Sequence, residues 1–307
     1  MKKRDFLRLT DVAPADLRDI LELATALKRE PLSRRTALAG KTVAIVMEKP
    51  STRTRASFEV GVAQLGGYPL VLTTQGTQLE RGEPIADTAR VLERLCDLIV
   101  FRTSSPDRLT EMATARVAVI NALTDAGHPC QVLADVFTME ESLARHGEEP
   151  RLRGRRVAFV GDGSSNMARS FIEAARSFEF HLELCCPEGY RPPTYEVERA
   201  KEFVEIHADP KEALRDVAFV HTDVWTSMGQ EAETERRKKA FAGFTLNSAM
   251  LSHAPQSALV MHCLPAHRGE EISESVLEGP RSIVWDQAEN RLHVQKALME
   301  YLLLGRV

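Results

Sequence analysis

The chain has 307 residues, enough for two domains of about 150 residues each. Its 44 Asp and Glu slightly outnumber its 40 Lys and Arg, so no basic field points to nucleic acid or to an acidic membrane surface. The five cysteines, Cys96, Cys130, Cys185, Cys186 and Cys263, form no CxxC pair and no framework spacing, and read as reduced thiols of a cytoplasmic protein. The basic start, residues 1–8, is interrupted by Asp5 and leads into no apolar run, so no secretory signal is expected. Residues 60–79 and 240–267 lack charge, but Gly, Pro, Gln, Thr and Ser break them up, and neither is apolar enough to span a membrane.

In chain order, the first element is a helix. Leu17, Ile20, Leu21, Ala24 and Leu27 recur at helical spacing, and Pro14 stands where a first turn tolerates it. Strands are predicted at 42–47, 69–74, 98–102 and 117–122, then at 156–160, 182–186, 218–222, 258–263 and 282–285. Polar or helical segments separate them, and this alternation is that of βαβ units in a parallel sheet. Residues 146–156 are charged, carry two glycines and a proline, and have no apolar period, so they mark the boundary between domains 1–145 and 146–286. A last helix, from about 287 to the end, is expected to return to the first domain. The fold class is α/β: two domains, each a parallel β-sheet flanked by helices, with the active site in the cleft between them.

Open parallel sheets bind ligands at the carboxyl ends of their strands, and the unusual residues gather there. Ser51, Thr52, Arg53, Thr54 and Arg55 follow the first strand, and Arg102 ends the third. Asn121, His128 and Gln131 follow the fourth. In the second half, Gly161 to Asn166 follow one strand, Asp223 with Ser227, Met228 and Gly229 another, and His262, Cys263 and Leu264 a third. Two hydroxyls, two guanidiniums and the amides of a helix start make a phosphate cradle at Ser51; the plain alternative is an N-cap followed by solvated arginines. Arg102 ends an apolar strand, so its charge meets solvent or a bound anion. His128 and Gln131, three residues apart, can both donate to a carbonyl oxygen that gains charge during acyl transfer. Cys263 beside His262 suggests a nucleophile, but neighbours on an extended strand face opposite ways, so a binding thiol is the favoured reading.

Eight blocks carry a resemblance: STRTR at Ser51, QLERGE at Gln78, DTARVLER at Asp87, FRT at Phe101, HPCQVLAD at His128, DVWTSMGQE at Asp223, HCLPAHRGEE at His262 and WDQAENRLHVQKAL at Trp285. Together they resemble the aspartate/ornithine carbamoyltransferase family, and within it the ornithine-using members, along essentially the whole chain. The resemblance implies a one-carbon-group transferase of arginine metabolism. Carbamoyl phosphate would bind the first domain and L-ornithine the second, and the δ-amine would attack the carbonyl carbon directly through a tetrahedral intermediate. Neither cofactor nor metal is implied. Carried over by position, Ser51, Thr52, Arg53 and Thr54 would hold phosphate. Arg102, His128 and Gln131 would serve the carbonyl, and Arg291 would be a further ligand. Gln78 would reach a neighbouring subunit's site in a homotrimer or a multiple of trimers. Asp223 and Ser227 would take ornithine's α-amino group, Asn166 and Met228 its α-carboxylate, while Cys263 and Leu264 would steer the δ-amine.

Three positions depart from the family pattern: Pro84 where serine is common, and Ser165 and Arg169 where asparagine is usual. Arg169 would either project outward or bias the site towards a more anionic substrate. Acceptors other than ornithine (putrescine, acetylornithine, aspartate) fit the 223–229 stretch less well. Two other functions match parts of the sequence. A nucleotide-dependent oxidoreductase is disfavoured because Asn166 replaces the third glycine of the turn after residue 160. A non-catalytic paralogue should have lost one of Arg53, Arg102, His128 or Asp223, and all four are present.

Overall fold

The computed structural model describes residues 3–226 and 233–305. The chain forms two compact units, Met1–Phe137 with Glu289–Val307, and Thr138–Ala288. The divisions therefore fall within helices, not in the 146–156 segment. No described helix is long and apolar enough to cross a membrane.

The first unit runs α1 (Pro14–Arg29), β1 (Thr42–Met47), α2 (Thr52–Gln64), β2 (Tyr68–Thr73), α3 (Ile85–Leu95), β3 (Leu98–Arg102), α4 (Pro106–Met112), β4 (Ala118–Leu123) and α5 (Pro129–Arg145), whose last turns belong to the second unit. The second continues with β5 (Arg156–Val160), α6 (Asn166–Phe178), β6 (His181–Cys185), α7 (Thr194–Arg199), β7 (Val204–His207), α8 (Pro210–Ala213), β8 (Phe219–Thr222), α9 (Thr234–Ala240), α10 (Ser248–Leu251), β9 (Leu259–His262) and α11 (Glu274–Leu277). Helix α12 (Val284–Leu304) begins there and ends in the first unit.

Both sheets are parallel, ordered β2-β1-β3-β4 and β7-β6-β5-β8-β9. Their central strands are apolar on both faces because helices cover both sides. In the first unit Ala44, Val46, Ile99, Phe101 and Val119 pack with Ile85, Ala89 and Leu92 of α3. In the second, Ala158, Val160, Val220 and Val260 pack with Leu214, Val276 and Leu277. The apolar stripe of α1 is buried as its spacing predicts, with Pro14 in its first turn.

Strand order decides where ligands go. In each unit the first strand has neighbours on both sides, and successive crossovers leave it in opposite directions. A crevice opens at the carboxyl ends of such a pair. For β1 and β3 the bordering segments are 51–55 and Arg102. For β5 and β8 they are 161–166 and Asp223.

Two elements differ from the expectation. Residues 282–285 are not a strand: Ser282 makes one isolated bridge to Val260, and α12 starts at Val284, with Gln287 N–H already donating to the Ile283 carbonyl at 2.9 Å. Strand β7 was not anticipated, because Glu205 and His207 leave a four-residue edge strand without an apolar run. The exit from α2 is closed by a pair of turns: Gly66 N–H donates to Ala63 and Gly67 N–H to Val62, both at 3.0 Å. Gly66 has φ +80°, and a Cβ there would collide with the Arg35 carbonyl oxygen. Gly66→Ala is expected to cost about 2–3 kcal/mol from the left-handed backbone and the clash, read as a fall of several degrees in Tm by calorimetry.

Candidate active site

In the first unit, Ser51 caps α2 as its Oγ accepts the Thr54 N–H at 3.2 Å. This turns the free amides of the helix start outward and buries the Thr54 side chain. The Thr54 hydroxyl oxygen then accepts from two guanidiniums, Arg102 Nη1 at 3.3 Å and Arg291 Nη2 at 3.0 Å. Arg102 arrives at the end of β3 and Arg291 on α12, where it is only 3 % exposed. One neutral oxygen thus aligns two cations, a concentration of charge suited to a phosphate dianion.

His128, just ahead of α5, is buried beside them. Burial, reinforced by the Arg291 and Arg102 charges, holds its imidazole well below the ordinary histidine range, so it is neutral. The ring can donate to a carbonyl oxygen without bringing a third positive charge. Gln131 N–H donates to the His128 carbonyl at 3.0 Å, and Gln131 Nε2 donates one proton to Asp135 at 2.9 Å. That bond, between fully buried groups, fixes the amide and leaves its second N–H for a ligand. Cys130 between them is no nucleophile: burial pushes its thiol up to about 12, and it donates to the Asn121 carbonyl at 3.3 Å.

The other predicted residues of this unit divide. Thr52 and Arg53 occupy the first turn of α2, Thr52 exposed and Arg53 half-buried. Arg55 turns away to pair with Glu59 at 3.1 Å, beside a cavity of about 650 Å³ that Ser51, Thr52 and Thr73 also line. Gln78 is exposed in a short turn after β2. Pro84 is the N-cap of α3 and provides no side-chain cap.

In the second unit, the turn after β5 brings Asp162 under α6. Its Oδ1 accepts from Ser164 N–H at 2.8 Å and Ser164 Oγ at 2.6 Å, while Oδ2 accepts from Arg237 at 2.6 Å. Ser165 caps α6 by accepting the Ala168 N–H at 3.2 Å, and half-buried Asn166 opens the helix. Asp223, past β8, is buried, and that burial pushes its carboxyl up despite the nearby His262 and the donors it has. Those donors are Val224 N–H at 2.8 Å and the Cys263 thiol at 2.9 Å. Ser227 and Met228 lie outside the described residues.

His262 and Cys263 are nearer than strand alternation implies, because β9 ends at His262: the Asp223 carboxylate, His262 ring and Cys263 sulfur lie within 4.8 Å of one another. They form no base–nucleophile pair. His262 Nδ1 accepts Leu264 N–H at 2.8 Å, so Nε2 carries the proton and donates to Glu271 at 3.1 Å. The thiol is committed to Asp223 instead. Leu264 follows in the left-handed region, φ +54°, before a cis bond to Pro265.

Three supporting residues were not read from the sequence. Arg237, 5 % exposed, joins Asp162 to the Trp225 carbonyl at 2.9 Å, so both loops bordering the β5–β8 crevice rest on one guanidinium. It sits in a run of charges that reads as a solvated helix face. Glu271 and Gln287 hold His262, Gln287 by accepting its backbone N–H at 2.9 Å; only their place inside recurring blocks hinted at them.

The buried histidines make stability depend on pH. His128 and His221 are both held well below the ordinary range by burial, whereas the unfolded chain takes up protons near pH 6.5. Below that pH the unfolded state binds more protons, so stability is retained above about 6.5 and lost as the pH falls. Tm is expected to fall between pH 7.5 and 5.5; an unchanged Tm would contradict the neutral histidines.

Two family profiles divide the chain between them. Residues 4–141 match the aspartate/ornithine carbamoyltransferase carbamoyl-P binding domain, and residues 153–302 match the Asp/Orn binding domain. An ornithine carbamoyltransferase of Sorangium cellulosum is 61 % identical over 306 residues, covering 99 % of this chain and 98 % of the relative. The solved ornithine carbamoyltransferase of Burkholderia thailandensis is 45 % identical, with a TM-score of 0.88 over 99 % of this chain and all of that one. That of Pyrococcus furiosus is 43 % identical, with a TM-score of 0.90 over 99 % and 98 %. With both halves matched and identity this high over the full length, the chain belongs to the aspartate/ornithine carbamoyltransferase family.

Proposed function

We propose that the chain is an enzyme that transfers the carbamoyl group of carbamoyl phosphate to the δ-amine of L-ornithine, giving L-citrulline and phosphate. The observation that carries this reading is the Thr54 hub, two guanidiniums on one hydroxyl beside a buried neutral histidine. It supplies charge for a phosphate and an uncharged donor for a carbonyl. Relatives with the same domain pair and the ornithine name support the choice of acceptor.

In this reading Ser51, Thr52, Arg53 and Thr54 hold the phosphate with the amides of the α2 start, and Arg102 and Arg291 neutralise it. Asp223 and Ser227 take the α-ammonium of ornithine, and Asn166 with the Met228 backbone takes the α-carboxylate. Cys263 and the Leu264 carbonyl orient the δ-amine. The nitrogen lone pair forms the new C–N bond, and the carbonyl oxygen becomes an oxyanion that Arg102, His128 and Gln131 stabilise. Collapse of the tetrahedral intermediate breaks the C–O bond to phosphate, and the proton lost from nitrogen leaves with the phosphate. Cys263 forms no acyl intermediate. Exposed Gln78 is assigned to the site of a neighbouring subunit in a homotrimer, and five cysteines outside any disulfide accord with a cytoplasmic location.

The test is product formation from carbamoyl phosphate with ornithine, putrescine, acetylornithine and aspartate in parallel. Strong preference for ornithine is expected; preference for putrescine would discard the α-carboxylate assignments, and no transfer to any of the four would discard the activity. Arg53→Ala removes charge-assisted bonds to phosphate. It is expected to raise the carbamoyl phosphate KM on the order of 10- to 100-fold and the ornithine KM far less. Equal effects on both substrates in steady-state kinetics would remove Arg53 from the phosphate site.

A further inference from the structure

Arg169 carries a positive charge on the helix that begins with Asn166, three residues beyond it. Neither projection into solvent nor a free charge facing the substrate describes it. Its Nε lies 3.1 and 3.0 Å from the two carboxylate oxygens of Glu196, and its Nη2 lies 2.6 Å from one of them. Tyr195 O–H donates to the same carboxylate at 3.0 Å and accepts weakly from Arg169 at 3.5 Å. The Glu196 side chain is only 7 % exposed, so this carboxylate is desolvated and needs the cation it has. The guanidinium is spent on α7 and adds no charge for a more anionic substrate.

The other end of the same turn is also fixed. A Cβ on Gly163 would sit 2.9 Å from both the Cys186 sulfur and the Tyr190 carbonyl oxygen, so the backbone there lies directly against the segment between β6 and α7. Residues 163 and 169 thus rest on one continuous stretch, 186–196. Asn166 lies midway between the two supports.

We propose that Arg169 is a positioning residue for the amino-acid substrate: its fork on Glu196 fixes the first turn of α6 and so sets where the Asn166 side chain meets the α-carboxylate. The proposal rests on the functional reading above for the role of Asn166.

Arg169→Met alone leaves a buried carboxylate without its cation and is prone to misfold. The decisive variant is therefore the double substitution Arg169→Met with Glu196→Met, which removes both charges and keeps apolar bulk. It is expected to raise the ornithine KM roughly tenfold while kcat and the carbamoyl phosphate KM stay within about twofold. Arg169→Lys, which keeps the charge but not the fork, should fall between it and the unmodified protein. A folded double variant with the unmodified ornithine KM would overturn the proposal, as would equal rises for both substrates. If the unmodified protein carbamoylates no ornithine, the functional reading fails and this proposal with it; activity with an unmoved KM in the double variant sinks this proposal alone.

Discussion

The arrangement depends on one topological constraint: in each sheet the first strand is flanked on both sides, so the chain builds first to one side of it and then crosses to the other. Right-handed parallel crossovers cannot fill the carboxyl end of such a strand pair, and a crevice remains there. In the first unit it is bordered by the α2 start and the end of β3, and in the second by the α6 start and the end of β8. Two helix N-termini and two strand ends therefore carry part of the chemistry, and the start of α5 with His128 and Gln131, Arg291 on α12 and Cys263 past β9 supply the rest.

The two crevices are equipped differently. The first gathers cations around a hydroxyl, with a histidine kept neutral by its burial and by the charges beside it. The second offers a buried carboxylate, Asp223, beside a turn whose own aspartate is tied back by Arg237 and a histidine locked by Glu271. An anionic substrate suits the former, and an ammonium suits the latter. This division follows the two family descriptions of the domains.

Much of this was legible in the sequence, for a physical reason. Strands buried on both faces must be apolar, so β1, β3 and β5 stand out against polar connections, and β1, β3 and β5 begin and end where the apolar runs do. Charged and hydroxyl residues placed at the ends of such runs are conspicuous for the same reason. What was illegible depends on partners distant in sequence. Arg237 and Asp162 are 75 residues apart, and nothing in the ERRKK run marks which arginine is buried. Arg169 had two open readings until Glu196 supplied its partner. Strand β7 was hidden because an edge strand tolerates the Glu and His that break an apolar pattern.

The bond between Cys263 and Asp223 has a further consequence. A thiol is a weak donor, so it keeps the buried carboxylate satisfied at low enthalpic value. A ligand ammonium that takes its place exchanges a weak neutral bond for a strong charged one, and the displaced sulfur loses little. A serine hydroxyl would hold the carboxylate more tightly and compete with the ligand, while an alanine would leave it wet and cheaply solvated.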